Sequence, residues 1–190
     1  MSHRVGLDKA AVVEAAAKLV DEEGIEALSL SRLAERLGVR TPSLYNHIGG
    51  LPGLKQELTR SCLRDLSETI TRASVGKSRA DAIFAFSDAY LAYARKAPGR
   101  YALTQQAPSP SDQETQAIAR KIIEVIRAIL APYNLSEEES IHAIRSLRSI
   151  VHGFISLEAA GGFALPVDRD VSFHWLINLF ISGLNDSHKQ

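Results

Sequence analysis

The side chains in this sequence whose types and spacing suit chemistry crowd into one run, Arg40-Thr41-Pro42-Ser43-Leu44-Tyr45-Asn46-His47-Ile48. Thr41, Ser43, Tyr45, Asn46 and His47 supply hydroxyl, amide and imidazole groups, with Arg40 beside them and no carboxylate in the run. Such a set donates and accepts hydrogen bonds without an evident base–nucleophile pair. The chemistry it suits is recognition: amides and hydroxyls match the edges of bases, and a guanidinium matches a phosphate. Catalytic chemistry finds little to work with elsewhere. His3, His47, His142, His152, His174 and His188 are scattered, with no HxxxH or HxH spacing, so no metal centre is expected. No Gly-rich loop cradles a phosphate. Cys62 is the single cysteine, which excludes an intrachain disulfide and argues against a Cys-based zinc site. It reads as a small residue in a packed helix. Neither an enzyme nor a cofactor is expected.

The elements that must position this run are legible on either side of it. Ser29 or Ser31 opens a short helix in which Leu30, Leu33, Ala34 and Leu37 are apolar, and Gly38 closes it. Thr41 is read as the cap of a second helix from Pro42 to Ile48, ending at Gly49-Gly50. Two short helices around a tight Gly38-Val39-Arg40 turn make a helix-turn-helix. Leu33, Ala34 and Leu37 should pack on Val39 and Leu44, leaving Thr41, Ser43, Tyr45, Asn46 and His47 outward. A helix so poor in apolar surface is weak core material and suits a major groove. Between residues 28 and 60, Arg32, Arg36, Arg40, Lys55 and Arg60 face only Glu35 and Glu57, a local excess of three positive charges. Arg32 and Arg36 are equally read as a solvated helix face with Glu35.

The rest of the chain carries no advertisement of charge, since 22 basic and 22 acidic residues give a net charge of zero. Its hydrophobic share of 45% suffices for a real core, and its Ala and Leu content favours helix over sheet. Asp8 caps a first helix to Glu23, with Val12, Ala16, Leu19 and Val20 on one face. Further helices are expected from Leu51 to about Ala73, Ser78 to Lys96, a short piece Arg100 to Gln106, about Asp112 to Leu130, Ser136 to about Ala160, and about Asp168 to Asn185. Ser136 before Glu137, Glu138 and Glu139 is a strong helix start. The fold class is therefore all-α: an N-terminal three-helix, helix-turn-helix domain (residues 1–50) and a C-terminal helical bundle (residues 51–190). No apolar run approaches the roughly 20 residues of a membrane span, and Met1 to Lys9 is too polar for a secretory signal, so a cytoplasmic protein is expected.

Three features of the C-terminal part suit partners. Ser149, Gly153, Ser156 and Ala160 form a seam of small residues, and the last helix adds Phe173, Leu176, Ile177, Phe180 and Leu184 beside Trp175 and Leu179. Two such helices meeting their symmetry mates would make a four-helix dimer interface; ordinary intrachain core is the alternative. Arg145, Arg148 and His152 align on a helix otherwise rich in apolar residues, either as polar handles for a ligand in an apolar cavity or as structural bonds, for instance with Glu158. Phe86, Tyr90 and Tyr93 sit at helical spacing with Phe84 nearby; they are core or pocket lining, which Tyr101 and Phe163 would join.

Across its first 60 or so residues the sequence resembles the TetR family of bacterial regulators. The resemblance rests on the helix ending at Gly24, then Ala27-Leu28-Ser29-Leu30, Leu33-Ala34, Leu37-Gly38-Val39, Ser43-Leu44-Tyr45-Asn46-His47-Ile48 and Leu54. It implies a homodimer on a near-palindromic, double-stranded DNA operator, usually a repressor released by a small ligand. Position by position, Ser29, Tyr45 and His47 match the family's phosphate contacts, and Arg40, Thr41, Pro42, Ser43 and Asn46 its base-facing positions. The family's usual lysine at the start of the fourth helix is here Leu51; the helix amides or Lys55, one turn on, are candidates to replace it. Arg148 to Phe154, with Leu157-Glu158 and Gly161-Gly162-Phe163, resembles a subgroup with a Trp-His-Gly signature, although only His152-Gly153 of that signature is present. A regulator with a structural or protein-interaction role and no inducer is the other functional expectation.

Overall fold

The computed structural model describes residues 7–186; His3, His188 and most of the polar opening segment lie outside them. Nine α-helices occur among the described residues: α1 Lys9–Glu23, α2 Leu30–Leu37, α3 Thr41–Leu44, α4 Gly50–Ser74, α5 Arg79–Lys96, α6 Pro98–Thr104, α7 Gln113–Leu130, α8 Glu137–Ala159 and α9 Arg169–Asp186. Short 3-10 turns cover Ile25–Ala27 and Ala131–Tyr133. No strand occurs among the described residues, and no helix there is long and apolar enough to cross a membrane. The contacts fall into two compact units, residues 1–65 with 97–115, and residues 66–96 with 116–190. The chain thus passes from one unit to the other within α4, between α5 and α6, and within α7.

In the first unit, local chemistry fixes each helix end. The Asp8 carboxylate accepts from the Ala11 amide at 2.7 Å and starts α1. The Ser29 hydroxyl accepts from the Arg32 amide at 3.3 Å and starts α2. Gly38, at φ +65°, stops α2 in a left-handed conformation, and the Val39 amide returns to the Ala34 carbonyl at 3.0 Å. The helices close around Val12, Ala16, Leu19, Val20, Leu33, Leu44, Leu54, Leu58 and Cys62, with Leu103 of α6 in the same core. Burial pushes the Cys62 thiol up to about 12, so it is an inert packing group. Arg60 on α4 bonds to Asp112 (2.7 Å) and Thr115 (3.0 Å) at the start of α7. Bonds from Thr115 first, then Gln56, hold the Asp112 carboxyl well below the usual carboxylate range.

The second unit is built on α5, α8 and α9, each packed on the other two. Ser136 and Glu139 form a reciprocal capping box at the start of α8, the Glu139 carboxylate accepting from the Ser136 amide at 2.8 Å. Inward residues recur at helical period: Ile83, Phe86, Tyr90 and Ala94 on α5, Ile144, Leu147, Val151 and Phe154 on α8, Phe173, Ile177, Ile181 and Leu184 on α9. Phe154 meets Phe173 with ring centroids 4.9 Å apart. Arg95 ties the end of α8 to the start of α9, with two bonds to Glu158 at 2.8 Å and one to Asp170 at 2.6 Å. The Arg95 guanidinium holds the Glu158 carboxyl below its ordinary range.

Candidate nucleic-acid interface

The expected second helix of the reading motif is shorter and starts earlier than its sequence suggests. Arg40, not Thr41, is its N-cap, and the α-helix closes at Leu44 rather than Ile48. The reason is tight winding at both ends. The Ser43 amide bonds back to Arg40 at 2.9 Å, three residues away, and beyond Leu44 the His47 amide does the same to the Leu44 carbonyl at 2.9 Å. Residues 45–48 continue as turns.

Two apolar residues hold this segment down. Leu44 is fully buried and Ile48 is nearly so, four residues apart on one side. That leaves Arg40, Pro42, Tyr45 and Asn46 exposed and Thr41, Ser43 and His47 half-buried. Tyr45 is 59% exposed. Ser29 carries a structural duty, since its hydroxyl caps α2, and it lies 3.2 Å from the Ser31 hydroxyl.

The charge count is redistributed by the fold. Arg36 forms a two-bond pair with Glu22 at 2.7 Å, Arg32 pairs with Glu23, and Arg60 pairs with Asp112. Arg32 and Arg36 therefore brace α2 against α1 rather than pairing with Glu35. Among the described residues, Arg40 and Lys55 have no carboxylate partner, and both are exposed. The local positive excess that matters for an anion is thus two side chains, one on each side of the Tyr45–His47 turn in sequence. Leu51 is half-buried against the core, so the family's lysine position holds a packing residue here. Gly50 has φ +69°, and a Cβ there would lie 3.8 Å from the Tyr45 ring; the glycine lets the chain turn into α4 beside that ring.

The sequence-expected residues of the C-terminal part are brought together only in part. Phe86, Tyr90 and Tyr93 are buried in the second unit, with Phe86 and Tyr90 rings 5.7 Å apart. Tyr101 is buried in the first unit instead. Phe163 lies on the α8–α9 connection, its ring 4.8 Å from Phe154. Arg148 and His152, with Arg145, are exposed, and do not join the rings. Each is one residue past an inward position (Ile144, Leu147, Val151), which turns it about 100° away from the core. His152 instead stands 3.4 Å from the Ser156 hydroxyl. Ser87 of α5 is fully enclosed, and its hydroxyl has no hydrogen-bond partner among the described residues.

The expected dimer residues divide as well. Ser149, Ser156 and Ala160 are exposed and Gly153 is half-buried, with open space where a Cβ would stand. Leu176 and Phe180 are half-buried. Phe173, Ile177 and Leu184, however, lie in the core of their own unit. Burying a side chain of that size is worth about 1.5–3 kcal/mol, so these three stay inside. The stripe of α9 left uncovered within the chain is Val171, Trp175 and Leu179, at 64%, 63% and 51% exposure, and Leu157 on α8 is exposed as well. Sequence reasoning treated α9 as one broad face; the i, i+4 spacing of Val171, Trp175 and Leu179 was the signal that separates the two stripes.

The arrangement has counterparts among known proteins. Residues 12–49 match the sequence model of "Bacterial regulatory proteins, tetR family", and residues 83–180 match that of "Tetracyclin repressor-like, C-terminal domain". The chain belongs to the TetR family. It is similar to the uncharacterized HTH-type transcriptional regulator YobS of Bacillus subtilis, 34% identical over all of this chain and 98% of that protein. The crystal structure of the putative regulatory protein SCO4313 superposes with a TM-score of 0.77 at 24% identity, covering 92% of this chain and 95% of that one. The TetR family protein ActR of Streptomyces coelicolor, solved in complex with (S)-DNPA, superposes with a TM-score of 0.70 at 18% identity, covering 95% and 98% of the two chains. As a TetR-family member the chain is a transcriptional regulator that binds DNA through a helix-turn-helix, not an enzyme.

Proposed function

We propose that this TetR-family regulator is a repressor: a homodimer that binds a palindromic, double-stranded operator and leaves it when a small, partly apolar ligand binds. Residues 1–50 read DNA and residues 51–190 dimerise and take the ligand. The observation that carries the first half is the surface around α3. Leu44 and Ile48 anchor it, Arg40 and Lys55 are without carboxylate partners among the described residues, and Tyr45 and Asn46, between them in sequence, are exposed. Arg40, Thr41, Pro42, Ser43 and Asn46 face bases, while Ser29, Tyr45, His47 and Lys55 take phosphates, Lys55 in place of the family's usual lysine.

Dimerisation falls to the uncovered stripe of α9 and the small-residue seam of α8. Trp175, Leu179 and Leu157 from one copy, with the half-buried Leu176 and Phe180, meet Ser149, Gly153, Ser156 and Ala160 of the other. Small residues there allow close helix approach. For the ligand, the rings of Phe86, Tyr90 and Tyr93 supply apolar surface, and the unpartnered Ser87 hydroxyl is a better polar handle than the exposed Arg148 and His152. Leaving a buried hydroxyl without a partner costs about 1–3 kcal/mol, which a ligand acceptor would recover. Binding that favours the DNA-incompetent arrangement lowers operator affinity through the same coupling.

The test uses duplexes tiling the DNA that flanks this chain's own gene. The expected result is one shifted fragment carrying an inverted repeat, released by a member of a panel of small aromatic and apolar compounds. Equal binding to every fragment, or no release across the panel, would contradict the corresponding half of the proposal.

A further inference from the structure

Three consecutive carboxylates end α1, and each is taken by a different arginine. Glu22 and Glu23 are held by Arg36 and Arg32 of α2. Asp21 is held by Arg100 of α6: the Arg100 amide donates to it at 2.9 Å and Nε at 2.6 Å, with Asp65 3.9 Å from the same guanidinium. The residue before, Gly99, lies against the α1 backbone itself. A Cβ on Gly99 would stand 2.0 Å from the Val20 carbonyl oxygen, 2.4 Å from its carbon and 2.8 Å from the Asp21 nitrogen. Backbone cannot rotate aside as a side chain can, so even a methyl group is excluded. The Arg100–Asp21 pair is part-buried, with the two side chains 24% and 15% exposed. One backbone and one side-chain bond to the same carboxylate, beside a contact that admits no methyl group, fix position. Cys62, fully buried in the same core, feels the charges of Asp65, Arg100 and Asp21 on its thiol.

We propose that Gly99, Arg100 and Asp21 are positioning residues for DNA recognition, a latch that fastens α6 to the end of α1 one residue from where α1 holds the reading motif. The proposal rests on the DNA-binding role above. Residues 97–115 lie between α5 and α7 in sequence yet fold with the first unit, so the latch fastens the segment by which the chain returns to that unit after α5. Loss of the latch leaves the reading surface intact and loosens its placement in the dimer. Specificity for half-site spacing then suffers more than affinity for a single half-site.

The test uses the full chain with Gly99→Ala and Asp21→Asn, and Arg100→Lys as the conservative variant. The probe is a duplex that the wild type enriches from random DNA, and the same duplex with one or two base pairs inserted between half-sites. Gly99→Ala is expected to bind the parent duplex about tenfold more weakly and to tolerate the insertions better than the wild type. Asp21→Asn should move both readouts the same way by less, and Arg100→Lys least. Because Cys62 is the single cysteine, its labelling by a disulfide reagent in native buffer reads the latch without DNA, and should quicken about tenfold in Gly99→Ala. Weaker binding with unchanged spacing preference would reduce these residues to ordinary packing and overturn the proposal. So would a folded Gly99→Ala with wild-type labelling and affinity. Should Gly99→Ala not fold, Asp21→Asn carries both readouts. If the wild type enriches no sequence, the DNA-recognition reading fails by itself, and Cys62 labelling still decides whether the latch exists.

Discussion

The segment around α3 and the helix α9 both present residues outward, but they do so from opposite compositions. The first is polar apart from two anchors, Leu44 and Ile48, and everything else on it stays near solvent. The second is apolar on two stripes: Phe173, Ile177, Ile181 and Leu184 turn inward, and Val171, Trp175 and Leu179 turn out. A polar outward face is at home in water and becomes informative through its hydrogen-bonding pattern. An apolar outward face is not, and it signals a partner by its cost. One surface is thus the one proposed to meet DNA, and the other the one proposed to meet a second copy of the chain.

The sharpest way to break this contrast is to truncate one residue from each stripe of α9. Phe173→Ala should cost about 3–5 kcal/mol of folding stability by denaturant titration, because it empties a core position. Trp175→Ala should leave the stability of the protomer within about 0.5 kcal/mol. It should instead weaken dimerisation by about 2 kcal/mol or more, read by sedimentation. If Trp175→Ala stays as dimeric as the wild type, the outward stripe is not the interface. On the other surface, Asn46→Ala should cost about 1–3 kcal/mol at one base position and relax preference there. Equal loss on selected and random duplexes would remove Asn46 from the base readers. Tyr45→Phe, which deletes only a hydroxyl, should cost about 0.5–1.5 kcal/mol on all sequences alike. The smallest change is expected from Lys55→Ala: the slope of log affinity against log salt should fall by about 1. An unchanged slope would return the missing phosphate anchor to the amides of α4.

The same contrast explains what could be read in advance. Helix ends were legible because caps are local: Asp8, Gly24, Gly38, Ser136 and Gly161 each act within a few residues of themselves. The segment from Arg40 to Ile48 was legible because its buried apolar side chains are Leu44 and Ile48, and the rest of it is polar or exposed. The bounds of α3 were not, since the tight winding around Pro42 and after Leu44 is a backbone detail that composition does not report. Arg32 and Arg36 showed their charge but not their partners, Glu23 and Glu22, which arrive from another helix. On α8 and α9 the difficulty is rotational. Arg148 sits one residue, about 100°, from the inward Leu147, whereas Trp175 sits two residues from both Phe173 and Ile177 and so falls on the opposite face of α9. Tyr101 was grouped with Phe86 and Tyr90 by type, whereas its contacts place it with the other unit.

The central claim is that Arg40 to His47 read a specific DNA sequence in symmetric pairs. Selection of bound duplexes from random DNA by the full chain tests it most directly. The account predicts enrichment of an inverted repeat whose half-sites lie about one helical turn apart or more, with Asn46→Ala changing the consensus at one position of each half. Enrichment of no sequence, or of a single unpaired half-site with the same consensus for Asn46→Ala, would contradict it.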